Sequence, residues 1–164
     1  MSEDFQMPTV FGVADLAEVA TMSGLDYIRG IAERRFPAPT IGRTMGFMMH
    51  DVEEGRVIFT GVPTEDVMNP IGTVHGGFAA TLLDSALACA VHTICPVGYA
   101  STSINLQVSF IRPIRPDTGR VFCEGQVVHP GRQIATAEAR LTDADGKLLA
   151  TGTQTCSVFA IGPQ

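Results

Sequence analysis

The stretch "NPIGTVHGGFAATLLD", residues 69–84, decides how the chain reads. It opens on an Asn-Pro turn, passes through His75-Gly76-Gly77 and ends on Asp84. That acid is the only charged residue between Asp66 and Arg112, and Leu82, Leu83, Ala86 and Leu87 surround it in sequence. Burying a carboxylate in such company is costly unless something compensates, so its presence points to chemistry. Residues 75–93 are rich in Ala and Leu and too many for a strand. They predict a helix about 28 Å long at about 1.5 Å per residue. Being apolar nearly all round, that helix is expected to be enclosed rather than half exposed.

On the N-terminal side, residues 13–35 read as one or two short helices, with Ser23 as N-cap and Leu25, Ile28 and Ile31 at helical spacing. Residues 1–12 show no pattern. "FPAPTIG" (36–42) ends the helical region, because neither proline continues a helix. "RTMGFMMHDV" and "GRVIFTGVP", separated by "EEG", predict a hairpin.

Beyond the long helix four further strands are legible. In 101–111, Ile104, Leu106, Val108 and Phe110 alternate with Ser103, Asn105, Gln107 and Ser109, the pattern of a strand with one buried face. "GRVFCEGQVVHP", "RQIATAEARLTD" and "LLATGTQTCSVF" follow, turning at "HPGR" and "ADGK". One long apolar helix before a four-strand antiparallel meander implies an α+β domain with the sheet curled around that helix.

At 164 residues the chain fits a single domain, and the boundaries expected are an N-terminal extension, partly helical, over 1–22 and one domain over 23–164. Hydrophobic residues make up 45% and charged residues 17%, with a mean hydropathy of +0.21. So little polar surface predicts that a second subunit covers part of the apolar surface. The net charge of −6 argues against nucleic acid as a partner. A membrane span over 76–95 is disfavoured, since Asp84 would lie near mid-bilayer at about 3 kcal/mol. Cys89, Cys95, Cys123 and Cys156 form no CxxC pair, and no secretory signal is present, which fits a reducing cytoplasm. Cys89, His92 and Cys95 lack a fourth partner, so no metal is expected.

The residues of 69–84 have usable chemistry. Asn69 carries an amide in a turn. Gly76 and Gly77 fall in the first helical turn, where N–H groups lack intrahelical acceptors and the helix dipole favours a developing oxyanion. Asp84 supplies a nucleophile or general base. Gly76 and Asp84 are about 12 Å apart along a helix axis, whereas an oxyanion donor and an attacking group must both lie within about 3.5 Å of one carbonyl group. If both act, Asp84 meets the Gly76 N–H of a second copy across antiparallel helices.

At these residues the chain resembles the hotdog-fold acyl-CoA thioesterases, in particular the phenylacetate-pathway (PaaI-like) branch. The matching pieces are "NPIGTVHGG" with "LLDSAL", then "SINLQVSFIRP", then "GRQIATAEARLTDADGKLLATGT", and the likeness runs over about residues 23–159. It implies a hotdog fold, in which an antiparallel sheet wraps one central helix. It also implies hydrolysis of aryl or medium-chain acyl-CoA to free acid and coenzyme A, without a cofactor beyond the coenzyme A of the substrate. By the same likeness, Asp84 attacks the thioester or activates water, and the Gly76 N–H polarises the carbonyl. Asn69 positions carbonyl or water, His75 orients the glycine turn, and Ser103 assists the acid. The active site would lie at the interface of an obligate homodimer, with pairing of dimers into tetramers left open. Asn105 stands where relatives often carry an acid, so no role tied to that charge is carried over.

Coenzyme A is a polyanion, and an acidic protein needs local cations to hold it. Arg112, Arg115 and Arg132 are the candidates, with Gly77 beside the thioester. Two rivals stand against this reading. One is a hotdog-fold 3-hydroxyacyl-CoA dehydratase; the other is a non-catalytic acyl-CoA binding or sensing protein.

Overall fold

The computed structural model describes residues 5–161. Its centre is α4 (Gly76–Thr93), 18 residues long. Six antiparallel strands wrap it: β1 (Phe47–Glu53), β2 (Arg56–Gly61), β3 (Tyr99–Phe110), β4 (Val121–His129), β5 (Ile134–Asp143) and β6 (Leu148–Ala160), in the order β1-β2-β4-β5-β6-β3. This is the hotdog architecture expected. The core lies between helix and sheet, where Phe78, Leu82, Leu83, Ala86, Leu87 and Val91 meet Val57, Val121, Cys123, Leu141 and Cys156.

Small residues let the helix sit this low. Ala135, Ala137 and Ala139 form the inward row of β5. A Cβ on Gly125 of β4 would lie 2.5 Å from the backbone of Ala86. Gly125→Ala is therefore expected to destabilise the fold by about 3 kcal/mol, the upper end for overpacking, since the obstacle is backbone and cannot rotate away. A urea midpoint unchanged from wild type would contradict this.

Before the sheet come α1 (Leu16–Val19), α2 (Gly24–Ala32) and α3 (Thr40–Met45). Ser23 caps α2 as expected, accepting from Asp26 N–H at 3.1 Å. Two boundaries differ from the sequence reading. The segment expected to open a strand at Arg43 is still helical, because Pro39 acts as the N-cap of α3 and Gly46, at φ 73°, ends it. The last four strands are not a simple meander either: β4, β5 and β6 run in order, but β3 lies outside β6 and leaves a free edge.

Two burial expectations are also corrected. Ile104 is 56% exposed, because the β3–β6 register shifts between Ser103 and Asn105. The extra residue of a bulge reverses which side chains face the core. Upstream of it Ser103, itself exposed, turns toward α4; downstream Leu106 and Val108 pack against the core. And α4 is not wholly enclosed: Thr81, Asp84, Ser85 and Ala88 form a half-exposed stripe along it.

Candidate active site

The Asp84 carboxylate is held from two strands. Ser103 Oγ donates to its Oδ1 at 3.0 Å, and Gln154 Nε2 donates to the same oxygen. Gln154 is only 2% exposed, and its Oε1 accepts from Cys156 Sγ at 3.3 Å, which fixes the amide's orientation. Among the described residues Oδ2 takes no hydrogen bond, so one oxygen is anchored while the other faces the open stripe. An anchored carboxylate with a free lone pair is a preorganised base or nucleophile.

The nearby thiols do not compete for that role. Burial, reinforced by the Asp84 charge, pushes the Cys89 thiol up to about 12. Burial first, then Asp84 and Cys95, pushes Cys156 up to about 11. Both stay protonated at neutral pH and are poor nucleophiles. Among the described residues no His, Cys, Asp or Glu cluster of three or more could hold a metal ion.

The other end of α4 is built by a turn. Asn69 accepts from Ile71 N–H at 3.0 Å and Thr73 N–H at 3.2 Å, and its Nδ2 donates to Thr73 Oγ1 at 2.7 Å. Its side chain thus braces the 69–73 loop. His75 is the N-cap of α4: Nδ1 accepts from Gly77 N–H at 2.8 Å, so a neutral ring carries its proton on Nε2. The Gly77 amide is thereby occupied. The Gly76 N–H has no partner among the described residues, and the Phe110 ring covers the glycine, 3.0 Å from where a Cβ would stand. Of the two glycines, Gly76 is the one with a donor to offer.

Within one chain the parts do not converge. Asp84 meets Ser103, but Gly76 lies two turns away, about 12 Å along the axis. Arg112 borders a cavity of about 330 Å³ beside His75, Gly76 and Phe110, and its Nη1 donates to Leu148 O at 2.7 Å. Arg115 follows in the same β3–β4 connection. Arg132 lies at the opposite end of the helix, with Ile94, Cys95 and Tyr99.

Sequence reading missed Gln154. Its signal was parity: it shares the inward row of β6 with Ala150, Gly152 and Cys156, where a lone long amide needs a partner. Gln154→Leu is expected to lower kcat about 10- to 100-fold by freeing the acid to wander. Gln154→Glu sets a second carboxyl against Asp84 and is expected to move the rising limb of the pH–rate profile upward. Wild-type kcat and an unshifted profile in both variants would exclude this anchoring role.

A model of the Thioesterase superfamily matches residues 71–150, which includes Gly76, Asp84 and Ser103. Human acyl-coenzyme A thioesterase 13 is 32% identical over 103 residues, covering 62% of this chain and 71% of that one. The chain belongs to the thioesterase superfamily. A protein of Halobacterium salinarum is 36% identical over 96 residues, and there the match spans 62% of the relative's length and 54% of this thioesterase-family chain. Among solved structures, a phenylacetic acid degradation-related protein of Ralstonia eutropha superposes with a TM-score of 0.73 at 29% identity, covering 80% of this chain and 98% of its own. The PaaI protein of E. coli shares the fold at a TM-score of 0.72 and 22% identity, covering 87% of this chain and 99% of its own.

Proposed function

We propose that this thioesterase-family protein hydrolyses acyl-CoA to free acid and coenzyme A, with Asp84 as the reacting carboxylate. The observation that carries the reading is the Asp84 carboxylate, anchored through one oxygen by Ser103 and Gln154 and open through the other. In the general-base route Asp84 takes a proton from water and the hydroxide attacks the thioester carbon. The tetrahedral oxyanion is held by a Gly76 N–H, the C–S bond breaks, and the thiolate leaves and is protonated. In the covalent route Asp84 itself attacks, expels the thiolate and forms an anhydride that water then opens. A single turnover in ¹⁸O-water separates them, since hydrolysis of the anhydride at its aspartyl carbonyl labels the protein.

The Gly76 N–H is supplied by a second copy. The free edge of β3 carries Ile104 and Phe110, 56% and 60% exposed, and such an edge favours pairing with another strand. Antiparallel joining at this edge lays two α4 helices side by side, with each Asp84 toward the other's N-terminus. It also brings Arg132 of one copy near Arg112 and Arg115 of the other, which gives coenzyme A phosphates a shared basic surface. Four free cysteines accord with a cytoplasmic location. No described helix is long and apolar enough to cross a membrane.

The test is thiol release over a panel of acyl-CoA substrates, beside sedimentation at assay concentration. Thiol release from a dimer or a larger even assembly is the expected result. Enoyl formation from 3-hydroxyacyl-CoA without thiol would indicate a dehydratase, and stabilisation by acyl-CoA without turnover a binding protein.

A further inference from the structure

The chain before α1 is tied across the surface and not packed into the core. None of residues 5–13 is fully buried, and Val10 and Val13 are 67% and 89% exposed. Phe11 forms a parallel bridge with Ala38, in which Gly12 N–H donates to Ala38 O and Ala38 N–H to Val10 O, both at 3.0 Å. Pro37 and Pro39 flank Ala38 and have no N–H to give, so the pairing cannot lengthen into a strand. The other ties come from arginines. Arg34 Nη2 donates to Gln6 O at 3.1 Å. The Arg43 guanidinium lies 5.4 Å from the centre of the Phe11 ring, and that of Arg120 lies 5.5 Å from the centre of the Phe5 ring.

Under this segment is a second cavity, also about 330 Å³, that reaches Ser85 and Cys89 of α4. Pro8 lines it, as do the side chains of Arg34 and Arg120 to which residues 5 and 6 are tied. The opening residues therefore supply part of its outer wall. Arg34 stands out in that wall. Its φ of 63° is left-handed, and among the described residues it is the only non-glycine so placed. It follows the C-cap of α2, the position that helices usually give to glycine, and its N–H closes the turn on Ile31 O at 3.1 Å. An arginine there holds its Cβ in an unfavourable conformation, and what glycine could not supply is the bond to Gln6.

We propose that residues 5–13 are a detachable strap, that Arg34 is its latch, and that release of the strap opens the cavity beside Ser85 and Cys89 to solutes while α4 and the sheet stay folded. Release breaks the two backbone bonds, the Arg34 bond and two ring contacts, and uncovers little apolar surface beyond Phe11. Segments with so few buried contacts open locally at far lower cost than the whole fold. Ser85 adjoins Asp84 in the chain, so the opening leads to the helix that carries the acid.

Cys89 can report the opening in the full-length protein. It lines the cavity, whereas Cys123 is fully buried in the core. Each is followed by slow labelling with methyl methanethiosulfonate and peptide mass spectrometry, where the rate tracks the open population. Arg34→Gly removes the latch and sets the favoured residue at the turn, so stability and closure should part. The melting temperature is expected at or above wild type. Cys89 should label about tenfold faster, as loss of one hydrogen bond from a charged group implies, with Cys123 unchanged. Arg43→Gln keeps a good helix former at an exposed position of α3. It should speed Cys89 labelling about two- to fivefold, the effect of losing an exposed guanidinium–ring contact. In the wild type, the Gly12 and Ala38 amides should exchange with deuterium well before those of β4 and β5. Unchanged Cys89 labelling in both variants, Cys89 and Cys123 rising together in both, or strap amides as protected as the sheet would each overturn the strap. The label does not depend on turnover, so the outcome stands apart from the thioesterase reading.

Discussion

Asp84→Asn is expected to lower thioester turnover by about 10²- to 10⁴-fold, the contribution of a positioned base, with the fold intact. An amide can neither take a proton from water nor form an anhydride, so both routes close. The fold survives because Asn keeps a carbonyl oxygen to accept from Ser103 and Gln154, and because the position is half-exposed and outside the packed face of α4. Thiol release measured beside a thermal melt separates the effects. A melt near wild type with lost turnover is the expected pair, while near-normal turnover would remove Asp84 from the chemistry.

The second large effect tests whether each site is shared. Gly76→Pro removes the one amide hydrogen proposed to hold the oxyanion, and is expected to cost about 10²- to 10³-fold in kcat, as loss of an oxyanion donor does. The position tolerates proline: it is the first residue of α4, where proline is favoured, and His75 before it is extended at ψ 137°. A Cβ added there meets the Phe110 ring, a side chain that can turn aside. Co-expression of Gly76→Pro with Asp84→Asn then gives a sharper result. Mixed dimers pair the intact acid of one chain with the intact amide of the other, so one of their two sites is whole. With random pairing this restores about a quarter of wild-type activity from two inactive parents. If acid and amide worked within one chain, the mixture would stay inactive.

Much of this was legible in the residues. The lone acid of an apolar run, the His-Gly-Gly entry and an Ala- and Leu-rich stretch too long for a strand located α4 within a residue, and Ser23 marked the start of α2. What stayed hidden depends on pairing between distant segments. The rhythm of Ile104, Leu106, Val108 and Phe110 put Ser103 on the outer face, and only the bulge opposite β6 brings it to Asp84. Nothing in 99–110 alone announces that bulge, since it arises from register with a strand some fifty residues later. The position of β3 beyond β6 is hidden for the same reason: antiparallel neighbours in sequence are the default, and the exception is decided by which strands cover α4. Gln154 fell between these cases. Its inward parity was visible, but its partner was named only once β6 and α4 were packed.

The small residues beneath the helix carry a further consequence. Gly125 and the alanine row of β5 admit α4 so close that it has no room to slide or roll. On its other side α4 is met by α2, whose Ile28 and Ile31 belong to the same core. Wedged between a glycine-and-alanine floor and a helical cover, the long helix is expected to hold the Asp84 side chain in one place whatever else in the molecule moves.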